Sequence, residues 1–261
     1  MNDTLGIIKR LTQTNQKLSS LFTKLASGRR INRASDDAAG LSVVASLEVG
    51  ARTLNQANRN IGDAVSAAQI RDGALDQIGQ LKSRQAELAA QASNGTLSDS
   101  QRATLNQEFQ ALGDEINRIQ ATTEFNGVNQ FSGEDLSIQA GDGGDSESQL
   151  TLQGTQFSFS SQDISTQAGA QGALDQVNQD IATVAEVRGK LGADVSRLRV
   201  AEENNATQAI EQESAAARIR DADIASLAAD KVALEIKQKA GTAVLAQAKN
   251  LEPQNVLRLL K

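Results

Sequence analysis

Residues 174–198 read LDQVNQDIATVAEVRGKLGADVSRL, and the spacing of their apolar members decides the fold. Leu174, Val177, Ile181, Val184, Leu191, Val195 and Leu198 alternate intervals of three and four, with Arg188 the one charge in the seam. That rhythm is the face of a coiled-coil helix, which buries its stripe only against a neighbouring helix. Downstream, from Ile210 to Leu251, the chain keeps helical character, becomes Ala-rich and ends on Val256, Leu257, Leu259 and Leu260. A terminal apolar cluster of this kind suggests burial against another copy.

Upstream, Leu11, Leu18 and Leu25 recur every seven residues, widened by Ile7, Ile8, Leu21 and Phe22 into a helix that needs a partner. Ser27-Gly28 predicts its end, because glycine after an apolar run is the common left-handed C-cap. A basic connector, Arg29 to Arg33, follows. Ser35 is the expected cap of a second helix, with Asp36 and Asp37 in its first turn. From there Leu47, Leu54, Ile61, Ala68 and Leu75 hold a seven-residue spacing until Ser93-Asn94-Gly95. The result is a helix of about 55 residues, roughly 80 Å long. Ser98 and Gln101 form a capping-box pattern for a third helix, whose apolar face is Leu105, Phe109, Leu112, Ile116 and Ile119.

The Asn126-Gly127 turn ends this periodicity. The region from Val128 to about Ser161 is Gly- and Ser-rich and alternates in Leu136-Ser137-Ile138, Leu150-Thr151-Leu152 and Phe157-Ser158-Phe159, which predicts short strands or hairpins. The expected fold is mainly α. Long antiparallel helices from both ends form a coiled-coil bundle around a small β-hairpin region.

Composition removes most chemistry. The 261 residues include no Cys, His, Trp or Tyr, one Pro and six Phe. Zinc sites of thiolate or imidazole, cysteine nucleophiles, Ser-His-Asp triads and axial haem histidines are therefore excluded. No cofactor, metal or catalytic residue is expected. The formal charge of −6, with little clustering of basic residues, argues against nucleic-acid or anionic-membrane partners. No run of about 18 apolar residues exists for a membrane span. MNDTLGIIKRLTQTNQ also lacks the apolar core of a Sec signal peptide. Asp142-Gly143-Gly144-Asp145-Ser146-Glu147 is faintly like a calcium loop but lacks the full ligand spacing, and its glycines suit a hairpin tip. Glu202 and Glu203, adjacent on a helix, diverge and make a poor catalytic dyad.

Four motifs carry a family resemblance. LASGRRINRASDDAAGL, residues 25–41, resembles the N-terminal signature of bacterial flagellins, and EFNGV, residues 124–128, the turn closing their N-terminal helical region. ARIRDADIA, residues 217–225, and AGTAVLAQAKNLEPQNVLRLLK, residues 240–261, resemble their C-terminal segment. The resemblance spans nearly the whole chain apart from about residues 129–165. It implies a secreted, non-enzymatic filament subunit of the short form that lacks large outer domains. Its expected segments are an inner-core helix over 1–36, outer-tube helices over 37–127, a β-hairpin region over 128–165, an outer-tube helix over 166–220 and an inner-core helix over 221–261.

The implied partners are copies of the chain itself, the flagellar type III export apparatus, a chaperone for the C-terminal segment, and the hook-filament junction and cap proteins. The implied location is the extracellular flagellum. Leu11, Leu18, Leu25, Val244, Leu245, Val256, Leu257, Leu259 and Leu260 are the expected filament-core residues. Gly28, Ser35, Asp36 and Asp37 are the expected cap and connector. Residues Leu81 to Ala92 resemble the helix recognised by the flagellin-sensing Toll-like receptor of animals: Arg84, Glu87 and Leu88 match, as does Glu108 on the returning helix, whereas Ser83 and Ala86 depart. Two rivals stand beside the filament subunit. Hook-filament junction proteins typically carry a proline-containing version of the Ser-Asp-Asp segment, where Ala38 and Ala39 stand here. A carboxylate-based glycan hydrolase would need a pocket with two carboxylates about 5 to 9 Å apart.

Overall fold

The computed structural model describes the backbone of residues 2–259 and the side chains of residues 5–248. The element order is α1 (Asn2–Ser27), α2 (Ala38–Ala92), α3 (Asp99–Thr122), β1 (Glu124–Phe125), β2 (Val128–Asn129), β3 (Leu136–Gln139), a 3-10 turn (Ser146–Ser148), β4 (Gln149–Leu152), α4 (Gln167–Arg220) and α5 (Ile224–Leu259). The chain forms two compact units, residues 1–51 with 210–261, and residues 52–209.

In residues 52–209 the seven-residue spacing becomes the core. Leu54, Ile61, Ala68 and Leu75 of α2 are buried, as are Val177, Val184, Leu191 and Leu198 of α4. Contacts between α2 and α4 run in opposite senses. Arg188, the charge in the seam, reaches Asp72 at 2.9 Å and Asp76 at 2.8 Å, while Lys82 meets Asp180 at 2.7 Å. Helix α3 folds back on α2, where Gln85 Nε2 donates to the Phe109 carbonyl at 3.0 Å. Its start is the capping box read from Ser98 and Gln101, with both reciprocal hydrogen bonds present.

The loop between α2 and α3 is held by a residue that periodicity does not reveal. Arg102, 5% exposed, donates to the carbonyls of Ala92, Asn94 and Leu97 at 2.9, 3.0 and 2.8 Å. It thereby satisfies the Ala92 carbonyl, which the end of α2 leaves without an intrahelical partner, and ties the loop carbonyls of Asn94 and Leu97 to the same guanidinium.

The β region is two small antiparallel pairs, β1 with β2 and β3 with β4. Asn126 and Gly127 take positive φ of 50° and 77°, the two-residue turn that matches strand twist. Leu136, Ile138, Leu150 and Leu152 pair across β3 and β4 as their alternation predicts. Phe157-Ser158-Phe159 differs from expectation. It forms no strand, because its rings fill a gap instead: Phe157 lies 6.1 Å from Phe131 and stacks on Phe159 at 5.3 Å. Side chains of the helices grip the β region by its carbonyls. Asn60 reaches Gln139, Arg71 reaches Gln153, and Asn205 reaches Ala140, at 3.2, 2.7 and 2.6 Å.

In the other unit α1 pairs with α5 in antiparallel fashion. Asn15 accepts from Gln238 at 2.8 Å, and Lys231 sits 5.1 Å over the Phe22 ring. A Cβ at Gly241 would fall 2.7 Å from Leu11 Cδ1, so the absence of a side chain there permits the close approach.

Candidate assembly surfaces

The connector between α1 and α2 is built by hydrogen bonds, and they correct one expectation. Gly28 ends α1 with φ +67°, as read. Ser35, however, does not cap the second helix: α2 begins at Ala38, and Asp37 caps it, its Oδ1 accepting from the Gly40 amide at 2.8 Å. Asp36 lies outside the helix as well. Its Oδ2 accepts from the amides of Asn32 and Arg33 at 3.1 and 3.0 Å, folding the connector into a turn. Those two hydrogen bonds hold the Asp36 carboxyl below its ordinary value near 3.8. Asp37 takes the helix amide, and Asp36, one position farther from the helix, takes the amides of the turn.

Sequence reading also left the partner of this connector unnamed. Residues 221–223 interrupt the helical C-terminal stretch, and Asp223 caps α5 by accepting from Ala225 and Ser226 at 2.9 and 3.2 Å. The two breaks lie side by side. Arg30 N donates to the Arg220 carbonyl at 2.7 Å, Ala222 N to the Gly28 carbonyl at 3.0 Å, and the Arg30 guanidinium to the Ile219 carbonyl at 2.6 Å. Arg29 and Asp221 form a β-bridge, and Arg220 pairs with both Glu48 and Asp221. Ile31, 2% exposed, is the apolar pin of this joint. The available signal was Asp221 and Asp223 in a sequence otherwise made of helix formers.

Of the expected core residues, Leu18 is buried, while Leu11, Leu25 and Leu245 are half-buried and Val244 is 51% exposed. Val256, Leu257, Leu259 and Leu260 lie outside the residues whose side chains are described. Helix α5 carries apolar side chains on two sides. Leu227 and Leu234 are half-buried beside α1, whereas Val232 and Ile236 are 55% and 62% exposed. On α1, Leu5, Ile8 and Phe22 are exposed at 61%, 46% and 49%.

The receptor-like residues divide. Arg84 bonds Glu108 through Nε and Nη2 at 3.0 and 2.9 Å, and Glu87 through Nη1 at 2.9 Å, forming a surface cluster. Glu87 first, then Glu108, raise the Arg84 pKa. Leu88 is 1% exposed and packs with Ala89, Ala92, Phe109 and Val177. Asp145, in the faintly calcium-like stretch, instead caps the 3-10 turn by accepting from Ser148 N and Oγ at 3.0 and 2.6 Å.

Comparison with known proteins places this architecture. The family described as bacterial flagellin N-terminal helical region matches residues 4–135, and the bacterial flagellin C-terminal helical region matches residues 174–260. A flagellin of Halalkalibacterium halodurans is 38% identical over 245 residues, 91% of this chain and 90% of that one. The chain belongs to the bacterial flagellin family.

Two further flagellar relatives align almost end to end. The flagellar filament 30.7 kDa core protein of Treponema maltophilum is 33% identical over 94% of this chain and 93% of its own length. A Bacillus subtilis flagellin is 31% identical over 98% and 97%. The crystal structure of Bacillus cereus flagellin superposes with a TM-score of 0.52 at 26% identity, covering 56% of this chain and 88% of that one. A putative flagellar hook-associated protein from Vibrio parahaemolyticus shares the fold at a TM-score of 0.60 and 14% identity, over 71% of this chain and all of that one. As a flagellin of 261 residues, this chain is the short form without a large outer domain.

Proposed function

We propose that this flagellin is the structural subunit of a bacterial flagellar filament, polymerising with copies of itself to serve swimming motility without performing catalysis. The observation that carries the reading is the apolar surface left on the α1–α5 pair. Leu5, Ile8 and Phe22 of α1 and Val232, Ile236 and Val244 of α5 are all between 46% and 62% exposed. Two helices cannot cover each other on every side, so these faces call for further helices. Neighbouring copies supply them, and contacts that do not close give an open helical polymer. In this reading residues 1–36 and 221–261 form the inner core, the long helices over 37–127 and 166–220 form the surrounding tube, and 128–165 lies against that tube.

The finer expectations belong to the same proposal. The chain is exported unfolded through the flagellar type III apparatus and ends outside the cell. A chaperone shields its C-terminal segment, where Val256, Leu257, Leu259 and Leu260 would otherwise invite premature polymerisation. Junction and cap proteins bound the filament at its two ends. The surface cluster of Arg84, Glu87 and Glu108 is what an animal flagellin-sensing receptor would meet, with Leu88 supporting it from below.

Electron microscopy of purified monomer, before and after a precipitating salt and short filament seeds, tests the subunit reading. Long filaments are expected. A protein that stayed soluble, or added only a short cap to seeds, would transfer the reading to a junction protein.

A further inference from the structure

Arg71, Lys82 and Arg102 are buried cations of residues 52–209, and two of them have a carboxylate in contact. Lys82 meets Asp180 at 2.7 Å, and Arg102 meets Asp99 at 3.4 Å. Arg71, 3% exposed, forms no ion pair among the described residues. Its guanidinium rests on neutral acceptors: the Gln153 carbonyl lies 2.7 Å from Nη1 and Gln130 Oε1 lies 3.3 Å from Nη2, while Nε is buried without a hydrogen-bond partner. A buried charge held only by neutral groups is costly, because no opposite charge returns what desolvation takes. Burial pushes the Arg71 pKa below its ordinary value, and the one field opposing this is that of Asp194 on α4.

Arg71 and Asp194 line the same cavity of about 170 Å³, together with Gln153, Gly154, Thr155 and Gln156 of the segment that follows β4. Asp194 is weakly engaged elsewhere. Its neighbour Arg197 stands 3.6 Å away with 64% of its own side chain exposed, beyond hydrogen-bond length and softened by solvent. Lys190, also on the cavity, is held by Glu186 at 2.7 Å. On its other side Arg71 lines a wider cleft of about 430 Å³ that includes Asp63, Glu134 and Asp135. Those three acids are exposed, and Asp135 Oδ1 already accepts from Gly154 N at 2.8 Å. The carboxylate available to Arg71 is therefore Asp194.

We infer that Arg71 is a latch with two seats. In the seat occupied here it ties the segment after β4 to α2 through the Gln153 carbonyl. In the other, the guanidinium turns across the cavity it shares with Asp194, presents Nε and one Nη to that carboxylate, and lets Gln153 and Gln130 go. The exchange trades two bonds to neutral acceptors for a charge-assisted pair, whose bonds are about twice as strong as neutral ones. It also gives the buried Nε an acceptor, which the present seat does not. The gains and losses nearly cancel, so neither seat excludes the other. Residues 153–156, which belong to no helix or strand, are the part that the second seat frees from α2. The latch acts within one copy, so it is independent of polymerisation.

The test is amide hydrogen exchange of the full chain, read by mass spectrometry over residues 149–156. Asp194→Asn removes the second seat and should slow exchange there about threefold, because the open state that exchanges becomes rarer. If Asp194 only offsets a fixed guanidinium, the same variant strips a buried charge of its counter-field, and exchange quickens or stays unchanged. Either of those results overturns the latch. In an Arg71→Gln chain, adding Asp194→Asn should change nothing. Slowing there as well would mean that Asp194 acts without Arg71, which also overturns the assignment. Should Arg71→Gln not fold, the sign of the Asp194→Asn effect still decides.

Discussion

At the residue scale, two adjacent aspartates with the same side chain do different work, and the difference is measurable. Asp37 caps α2 through Gly40, whereas Asp36 gathers the amides of Asn32 and Arg33. Asp37→Ala should cost about 1 kcal/mol in urea-unfolding stability, the ordinary loss for a missing N-cap acceptor. Ser35→Ala, exposed and outside the cap, should change stability by no more than about 0.5 kcal/mol. Equal losses would return the cap to Ser35. The depressed Asp36 carboxyl gives a pH signature with a definite sign. A carboxylate whose folded pKa lies below its unfolded value stabilises the fold above that unfolded value and loses the contribution as pH falls through the folded one. The window is thus below about pH 4. Amide exchange at Asn32 and Arg33 should accelerate there, and Asp36→Asn should remove that pH response. The run Ser35-Asp36-Asp37 shows that a helix start lies here, with Ser35 the expected cap. Which oxygen took which amide depended on the path of the backbone, which residue type does not encode.

At the element scale, α2 and α4 pair through an apolar seam interrupted by charges. Lys82 and Asp180 are almost wholly buried, Gln176 Nε2 bonds the second Asp180 oxygen at 3.0 Å, and Lys82 Nζ lies 4.0 Å above the Phe159 ring. Removing one partner of a buried pair strands the other charge, so Lys82→Met should destabilise the chain by about 3–5 kcal/mol, read from thermal or urea unfolding. Lys82→Met with Asp180→Leu should recover most of that loss. A double variant as unstable as the single would mean that packing, not charge, holds this site. The lengths of these helices were legible because seven-residue periodicity and breakers are local signals. The destination of Phe157 and Phe159 was not. Alternation reports two faces of an extended segment, but a strand also needs a neighbour, and these rings pack against Phe131 and Lys82 rather than beside another backbone.

At the scale of the whole molecule, the proposed polymerisation would cover the apolar side chains that α1 and α5 leave exposed. Ile236→Asp illustrates the separation. The side chain is 62% exposed, so the monomer should unfold as before within about 0.5 kcal/mol, while seeded polymerisation, followed by light scattering or sedimentation, should fail. Polymer yield equal to that of the unchanged protein would exclude this face from the filament. The sequence by itself determined the long helices, the Gly28 stop, the Ser98 cap, the excluded chemistries and, through four motifs, the family. All of these rest on short-range periodicity, on single residues with strong backbone preferences, or on residue types that are simply absent. Only the tertiary structure decided that Arg30 closes on Ile219, 189 residues away, that Arg71 and Asn205 hold the β region by its carbonyls, and that Leu88 faces the core while Val244 faces out. Those outcomes depend on which distant donors and acceptors burial brings together, and a buried polar group bonds whatever partner the packed chain places within reach.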